Sequence, residues 1–238
     1  MTEYNVQVSE DKNSLAFAAS DLISQIIEST LKNKSRAKIA LCGGSTPKAA
    51  YSLLGKKNIE WSNVDVFLGD ERWVDNESQD SNCFLLKNSL FNKGNPSLEA
   101  SFFCVSTIEL ISPQESARDY ERILKMNLDG DPPKFDLILL GLGDDGHTAS
   151  LFPGSDALFV QDELITVGEG KGHQRITFTS KLLNSTDNVI FLVSGYSKQK
   201  ALKRLLDKNE SWERTPAKLV SNTSKINVLV DKDAYPLT

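Results

Sequence analysis

Apolar positions along the chain follow two rhythms that alternate. Tyr4, Val6 and Val8 alternate with polar residues, the two-residue period of a strand. Leu15, Ala18, Ala19, Leu22, Ile26 and Leu31 then recur at helical spacing across residues 14–31. A short apolar run at Lys38–Cys42 ends in Gly43-Gly44, and Pro47 follows where the first turn of a helix through Leu54 would lie. The run Val64–Leu68 ends in Gly69-Asp70, and a helix is predicted around Cys83–Phe91. Residues 101–106 read as a strand. Ser112-Pro113-Gln114-Glu115 has the spacing of a capping box with proline in the first turn, opening a helix to about Leu128. Phe135–Leu140 is a strongly apolar strand run, and further strands are predicted at Leu164–Val167, Ile176–Phe178, Val189–Val193 and Ile226–Val230. A helical segment lies near Lys198–Leu206.

Strands that alternate with helices predict an α/β fold built on a mostly parallel sheet. With no repeat and no Gly/Ser- or Pro-rich linker, residues 1–238 are expected to form a single domain. Ligands of open α/β sheets bind beyond the carboxyl ends of the strands. Four strand runs, ending at Cys42, Leu68, Leu140 and Val193, lead into loops with glycine and polar side chains, and these loops are where chemistry is expected.

Composition narrows the function classes. Lys and Arg number 27 against 32 Asp and Glu, a net charge of −5, so no basic footprint for nucleic acid is present. No run approaches the roughly 20 apolar residues of a membrane span. The polar, acidic start MTEYNVQVSEDKNS is unlike a signal peptide, so a cytoplasmic location is expected. Cys42, Cys83 and Cys104 are widely spaced and odd in number, from which neither a disulfide framework nor a zinc site is expected. Only His147 and His173 are available for histidine chemistry.

The loops differ in what they offer. Gly43-Gly44-Ser45-Thr46 before a helix start supplies free N–H groups, a positive dipole end and two hydroxyls, a nest of phosphate size. It lacks Walker spacing, and a plain strand-to-helix turn uses similar residues. In Gly69-Asp70-Glu71-Arg72, Asp70 or Glu71 can bind sugar hydroxyls or steer a base, and Arg72 can grip phosphate or carboxylate. A self-satisfied surface ion pair is the alternative there. Gly141-Leu142-Gly143-Asp144-Asp145-Gly146 matches G-x-G-x-x-G, but its two aspartates would face a pyrophosphate, and Asp162, the acid at the right distance, precedes a strand rather than following one. The segment reads better from His147: an imidazole beside Asp145, at a strand's carboxyl end, suits general-base work, with the carboxylate fixing the tautomer. Lys171, Arg175 and Lys198 lie near strand ends and can neutralise a phosphate dianion, although each alone also fits solvated surface charge. No G-x-S-x-G elbow and no H-E-x-x-H is present. What remains is a cofactor-free, metal-free enzyme or binder for a small phosphorylated compound.

Taken together, Leu41-Cys42-Gly43-Gly44-Ser45-Thr46-Pro47-Lys48, Phe67-Leu68-Gly69-Asp70-Glu71-Arg72 and the stretch from Phe135 through Gly146-His147-Thr148-Ala149-Ser150-Leu151-Phe152-Pro153-Gly154 strongly resemble the 6-phosphogluconolactonase family. Arg175-Ile176-Thr177-Phe178-Thr179 and Gly195-Tyr196-Ser197-Lys198 fit its later segments, so the resemblance runs from about residue 37 to 230. It implies a Rossmann-like fold shared with glucosamine-6-phosphate deaminases and ribose-5-phosphate isomerases. It also implies hydrolysis of 6-phosphoglucono-δ-lactone to 6-phosphogluconate in the oxidative pentose phosphate pathway. The family's base falls on His147 and its substrate-binding arginine on Arg72. Its phosphate lysine falls on Lys171, although Glu169-Gly170-Lys171-Gly172-His173 replaces the usual Ser-Pro-Lys-Pro-Pro. Arg175 and Lys198 remain competing phosphate ligands by similarity to the deaminases. A deaminase and a non-catalytic sugar-phosphate sensor are the rival readings. Thr148-Ala149-Ser150-Leu151-Phe152-Pro153 departs from the deaminase pattern, and no spare segment holds a sensor's DNA-binding module.

Overall fold

A computed structural model describes residues 3–186, 188–221 and 225–235. The elements follow the chain as β1 (Tyr4–Ser9), α1 (Lys12–Leu31), β2 (Ala37–Leu41), α2 (Ser45–Leu54), β3 (Val64–Leu68), β4 (Asp70–Arg72), α3 (Asn82–Lys87) and β5 (Ser101–Phe103). They continue as α4 (Pro113–Asn127), β6 (Leu137–Gly141), β7 (Ile165–Gly170), β8 (His173–Phe178), α5 (Ser180–Leu183), β9 (Asn188–Val193), α6 (Gln199–Leu206) and β10 (Lys225–Asp231). Local chemistry explains several boundaries. The Asp11 carboxylate accepts from the Ser14 N–H, the Ser14 hydroxyl accepts in return from the Asp11 N–H, and together they start α1. Ser112 Oγ accepts from the Glu115 N–H at 3.2 Å with Pro113 in the first turn, as its spacing predicts.

Seven strands form a parallel sheet in the order β1-β10-β9-β6-β2-β3-β5. Its central strands are mostly apolar on both faces, as a sheet covered by helices requires: every residue of β3, including Asp65 paired with Arg36, and the Leu137–Leu140 run of β6 is buried. The four strands that end in glycine-bearing loops, β9, β6, β2 and β3, are neighbours in this order, so their loops meet at one edge of the sheet.

One expectation about topology is corrected. The runs at Leu164–Val167 and Ile176–Phe178 do not join the parallel sheet. They become β7 and β8, an antiparallel hairpin that pairs with β4 in a separate three-stranded sheet, β4-β8-β7. The connection between them is the turn at Lys171-Gly172, far shorter than the dozen or so residues a parallel crossover needs. Gly69 joins the two sheets: its N–H donates to Leu41 O and its carbonyl accepts from Phe178 N, both at 3.0 Å. Tyr120 of α4 steadies this junction, its hydroxyl accepting from Leu68 N at 2.8 Å and donating to Leu68 O at 3.0 Å. Around it Phe67, Phe103, Phe135 and Phe178 stack edge and face with centroids 4.5–5.5 Å apart.

A second correction concerns the cysteines. Cys83 of α3 and Cys104, next after β5, are joined in a disulfide with Cα atoms 5.8 Å apart, and Cys42 is the free, buried thiol. A separation of 21 residues gives no local sign of this pairing, which depends on α3 packing beside the edge strand. Among the described residues no helix is long and apolar enough to cross a membrane, and no group of three His, Cys, Asp or Glu side chains could hold a metal ion.

Candidate active site

A cleft of about 210 Å³ opens where the loops after β2, β3, β6 and β9 converge. It is lined by Gly43, Gly44, Ser45, Thr46, Asp70, Arg72, His147, Lys171, Arg175 and Lys198, so these sequence-predicted residues lie together. Asp145 stands behind His147 rather than in the lining.

The loop after β6 shapes the first wall. Asp145 Oδ1 lies 2.5 Å from His147 Nδ1 and also accepts from the His147 N–H at 3.0 Å. Burial opposes ionisation of Asp145, but the bonds from His147 outweigh it and hold the carboxyl well below the usual carboxylate range. The ion therefore keeps the proton on Nδ1 and turns Nε2 to the cleft. The loop can fold this tightly because Gly143 has no side chain: a Cβ there would lie 2.0 Å from His147 Nδ1. Phe152 packs on the imidazole with centroids 4.3 Å apart.

The second wall comes from the small sheet. In its register Arg72 stands directly opposite Arg175. Two guanidinium groups on facing positions repel one another, an arrangement that an anionic ligand relieves. Arg175 is buried; it sits 5.3 Å over the Phe152 ring, donates from Nε to Gly170 O at 3.0 Å, and lies 3.8 Å from Asp70. Burial depresses its pKa, with Asp70 pulling the other way and Arg72 adding to the depression. Arg72 donates to the Asp80 carbonyl, and among the described residues its buried Nε finds no partner.

Asp70 and Glu71 part company. Asp70 faces the cleft but its carboxylate is already held, by Ser150 Oγ at 2.6 Å and by Asn82 Nδ2 at 3.2 Å. Glu71, an expected alternative for sugar binding or base steering, is fully buried and points away from both tasks. It accepts from the N–H groups of Arg72, Asn82 and Cys83 and from Ser81 Oγ at 2.7–3.0 Å. Burial pushes its carboxyl up against the effect of these four donors. Its place is to bind the start of α3 to β4.

That start contributes a residue the sequence does not single out. Asn82 lines the cleft, donates to Asp70 O at 2.8 Å, and abuts Gly43 so closely that a Cβ on the glycine would fall 1.7 Å from its Oδ1. No local pattern marks it, since both partners are distant in sequence.

The floor is the beginning of α2. Gly44, with φ of 107°, turns the chain into the helix, and among the described residues no side chain caps it. The backbone N–H groups there are left for a ligand. Lys198 and Lys171 complete the rim. Ser194 and Gly195 are anchored on Asp231 at 2.5 and 3.0 Å, which positions the turn carrying Lys198. Burial lowers the Lys198 pKa, with Asp144 opposing. Lys171, at the hairpin tip, meets Asp144 at 3.3 Å. His173 is one-third exposed and faces Asp80 at 3.9 Å. The arrangement as a whole sets a histidine–aspartate pair against a nest of N–H groups and four cations, a geometry compatible with proton transfer on a ligand anchored by an anion.

The chain is similar to known proteins along most of its length. Residues 10–229 match the family model described as glucosamine-6-phosphate isomerases/6-phosphogluconolactonase. The 6-phosphogluconolactonase of Nostoc sp. is 36% identical over 96% of both chains, and that of Synechocystis sp. is 39% identical over 87% of each. The solved 6-phosphogluconolactonase of Trypanosoma brucei superposes with a TM-score of 0.87 at 27% identity, covering 98% of each chain. A monomeric glucosamine-6-phosphate deaminase, at 21% identity and a TM-score of 0.81, shares the fold. With most of its length matched, in sequence and in fold, the chain belongs to the glucosamine-6-phosphate isomerase/6-phosphogluconolactonase family.

Proposed function

We propose that the protein hydrolyses 6-phosphoglucono-δ-lactone to 6-phosphogluconate, a step of the oxidative pentose phosphate pathway, in this cleft. The observation that carries the reading is the His147–Asp145 pair set against an uncapped helix start and a ring of cations. The phosphate lies on the N–H groups of Gly43–Thr46 with one or two of Arg72, Lys171, Arg175 and Lys198. The lactone carbonyl then faces His147. Nε2 takes a proton from water, and the resulting hydroxide adds to the carbonyl carbon. Asp145 stabilises the imidazolium that forms. Backbone N–H groups of the glycine loops, or Arg72, receive the tetrahedral oxyanion. As the carbonyl re-forms, the ring oxygen leaves and takes its proton from His147. Asp70 holds the Arg175 wall in place and is close enough to meet a sugar hydroxyl. A lactone is reactive enough that no covalent enzyme intermediate is required.

The test is hydrolysis of freshly generated 6-phosphoglucono-δ-lactone measured against its spontaneous decay, with unphosphorylated gluconolactone as control. Fast turnover that depends on the phosphate is expected. A rate no higher than spontaneous decay overturns the reading.

A further inference from the structure

The hydrolysis described above uses no cysteine, yet the one covalent crosslink of the chain begins next to a cleft residue. Cys83, fully buried, directly follows Asn82, which joins Asp70 to the Gly43 nest. Its disulfide partner Cys104 is only half-buried, just beyond β5. The two elements tied together are slight. α3 has six residues, and β5 is a three-residue edge strand paired with β3 alone. Elements with so few internal hydrogen bonds open locally at low cost, and a crosslink between them suppresses that opening. Three fastenings hold the start of α3: Glu71 on the N–H groups, Asn82 on Asp70, and the disulfide. Of these only the disulfide can be broken and remade by chemistry.

We propose that Cys83–Cys104 is a reversible thiol–disulfide site through which a dithiol reductant loosens the cleft's hold on its phosphorylated substrate; the substrate part of this inference rests on the proposed function. A thiolate of the reductant attacks Cys104 Sγ, the sulfur of the less buried cysteine. The S–S bond breaks, Cys83 leaves as thiolate and takes a proton, and a mixed disulfide joins the reductant to Cys104. The reductant's second thiol displaces Cys104, so two electrons and two protons pass to the protein and the reductant leaves as its own disulfide. With the tie gone, the start of α3 opens more often. Asn82 then releases Asp70 and the nest, and Arg72 loses its anchor on Asp80, which lies in the same segment. His147 and Asp145 sit on the loop after β6, outside this segment, and the oxyanion keeps the glycine-loop N–H groups, so binding weakens while the chemical step is retained.

The experiment compares the full-length protein oxidised with diamide and reduced with dithiothreitol. Alkylation under denaturing conditions followed by mass measurement counts thiols: one is expected after oxidation, Cys42, and three after reduction. Hydrogen exchange in residues 81–87 is expected to quicken on reduction. If the binding-competent population falls to about one-fifth, KM for the phosphorylated lactone rises roughly fivefold, with kcat kept within about twofold and both states recovered on reoxidation. Cys104→Ser is expected to show the higher KM under both conditions. Three alkylatable thiols after oxidation, or new thiols with exchange and KM unchanged, overturns the proposal. If neither form hydrolyses the lactone, the lactonase reading falls. The switch is then judged on exchange at 81–87 and on binding of 6-phosphogluconate: changes in both support it, and no change in either refutes it.

Discussion

His147 is fixed from three sides: by Asp145 at Nδ1, by the Phe152 ring on its face, and by the Gly143 N–H, which donates to its carbonyl at 2.8 Å. In the base role proposed for it, a side chain held in this way loses little entropy on reaching the transition state, and its removal should appear in the chemical step. His147→Ala is expected to lower kcat/KM by about 10²–10⁴-fold, the usual range for a positioned general base, with the circular dichroism spectrum unchanged. Asp145→Asn should cost less, because the imidazole stays in place while its tautomer is no longer set. The same aspartate makes a pH prediction. Its folded pKa is depressed, so its contribution to stability is complete above the unfolded value near 4 and is lost as pH falls through the lower folded one. Urea midpoints measured from about pH 5 down to about pH 2 should therefore fall more steeply for the parent protein than for Asp145→Asn.

At the level of elements, the site depends on close approach and on one buried acid. Gly143→Ala would push a methyl group into His147 Nδ1 and part the imidazole from Asp145. The loop after β6 spans residues 142–164 and also carries Gly146 and Gly154, so it can shift to admit the methyl group: kcat should fall at least tenfold while the melting temperature moves little, as calorimetry beside kinetics would show. Glu71→Gln tests the junction of β4 with α3. The amide nitrogen cannot accept, so two of four buried donors lose their partner, and a loss of roughly 2–4 kcal/mol in unfolding free energy is expected from urea titration. These elements also mark where sequence legibility ends. The central strands announce themselves because a strand buried on both faces must be mostly apolar, and their glycine-bearing ends located the cleft. β4 gives no such sign. It is Asp-Glu-Arg, without an apolar residue, and is a strand only because β8 lies beside it. Asn82 and the Cys83–Cys104 bond were illegible for the same reason, since each depends on partners that only the folded chain brings near. The β7–β8 hairpin was missed, its two strands being read into the parallel sheet although the chain between them is too short to cross over.

For the whole molecule, charge is distributed against its own average. The chain carries a net −5, yet Arg72, Lys171, Arg175 and Lys198 converge on one cleft at the end of the sheet. The dianionic substrate of the proposed reaction would thus be repelled by the surface at large and drawn to this opening, where low-dielectric walls concentrate the field. Three acids offset part of this field: Asp70 lies 3.8 Å from Arg175, Asp144 lies 3.3 Å from Lys171, and Asp145 is held on His147. Such attraction acts beyond contact distance and is screened once the Debye length shrinks to about 10 Å near 0.1 M salt. Between about 20 and 200 mM sodium chloride, kcat/KM for the phosphorylated lactone should fall several-fold, whereas the value for unphosphorylated gluconolactone should stay flat. Arg72→Met should flatten the first curve without creating a slope in the second. Parallel slopes for the two substrates would mean that salt acts on the fold rather than on the encounter, and the converging cations would then have no part in capture.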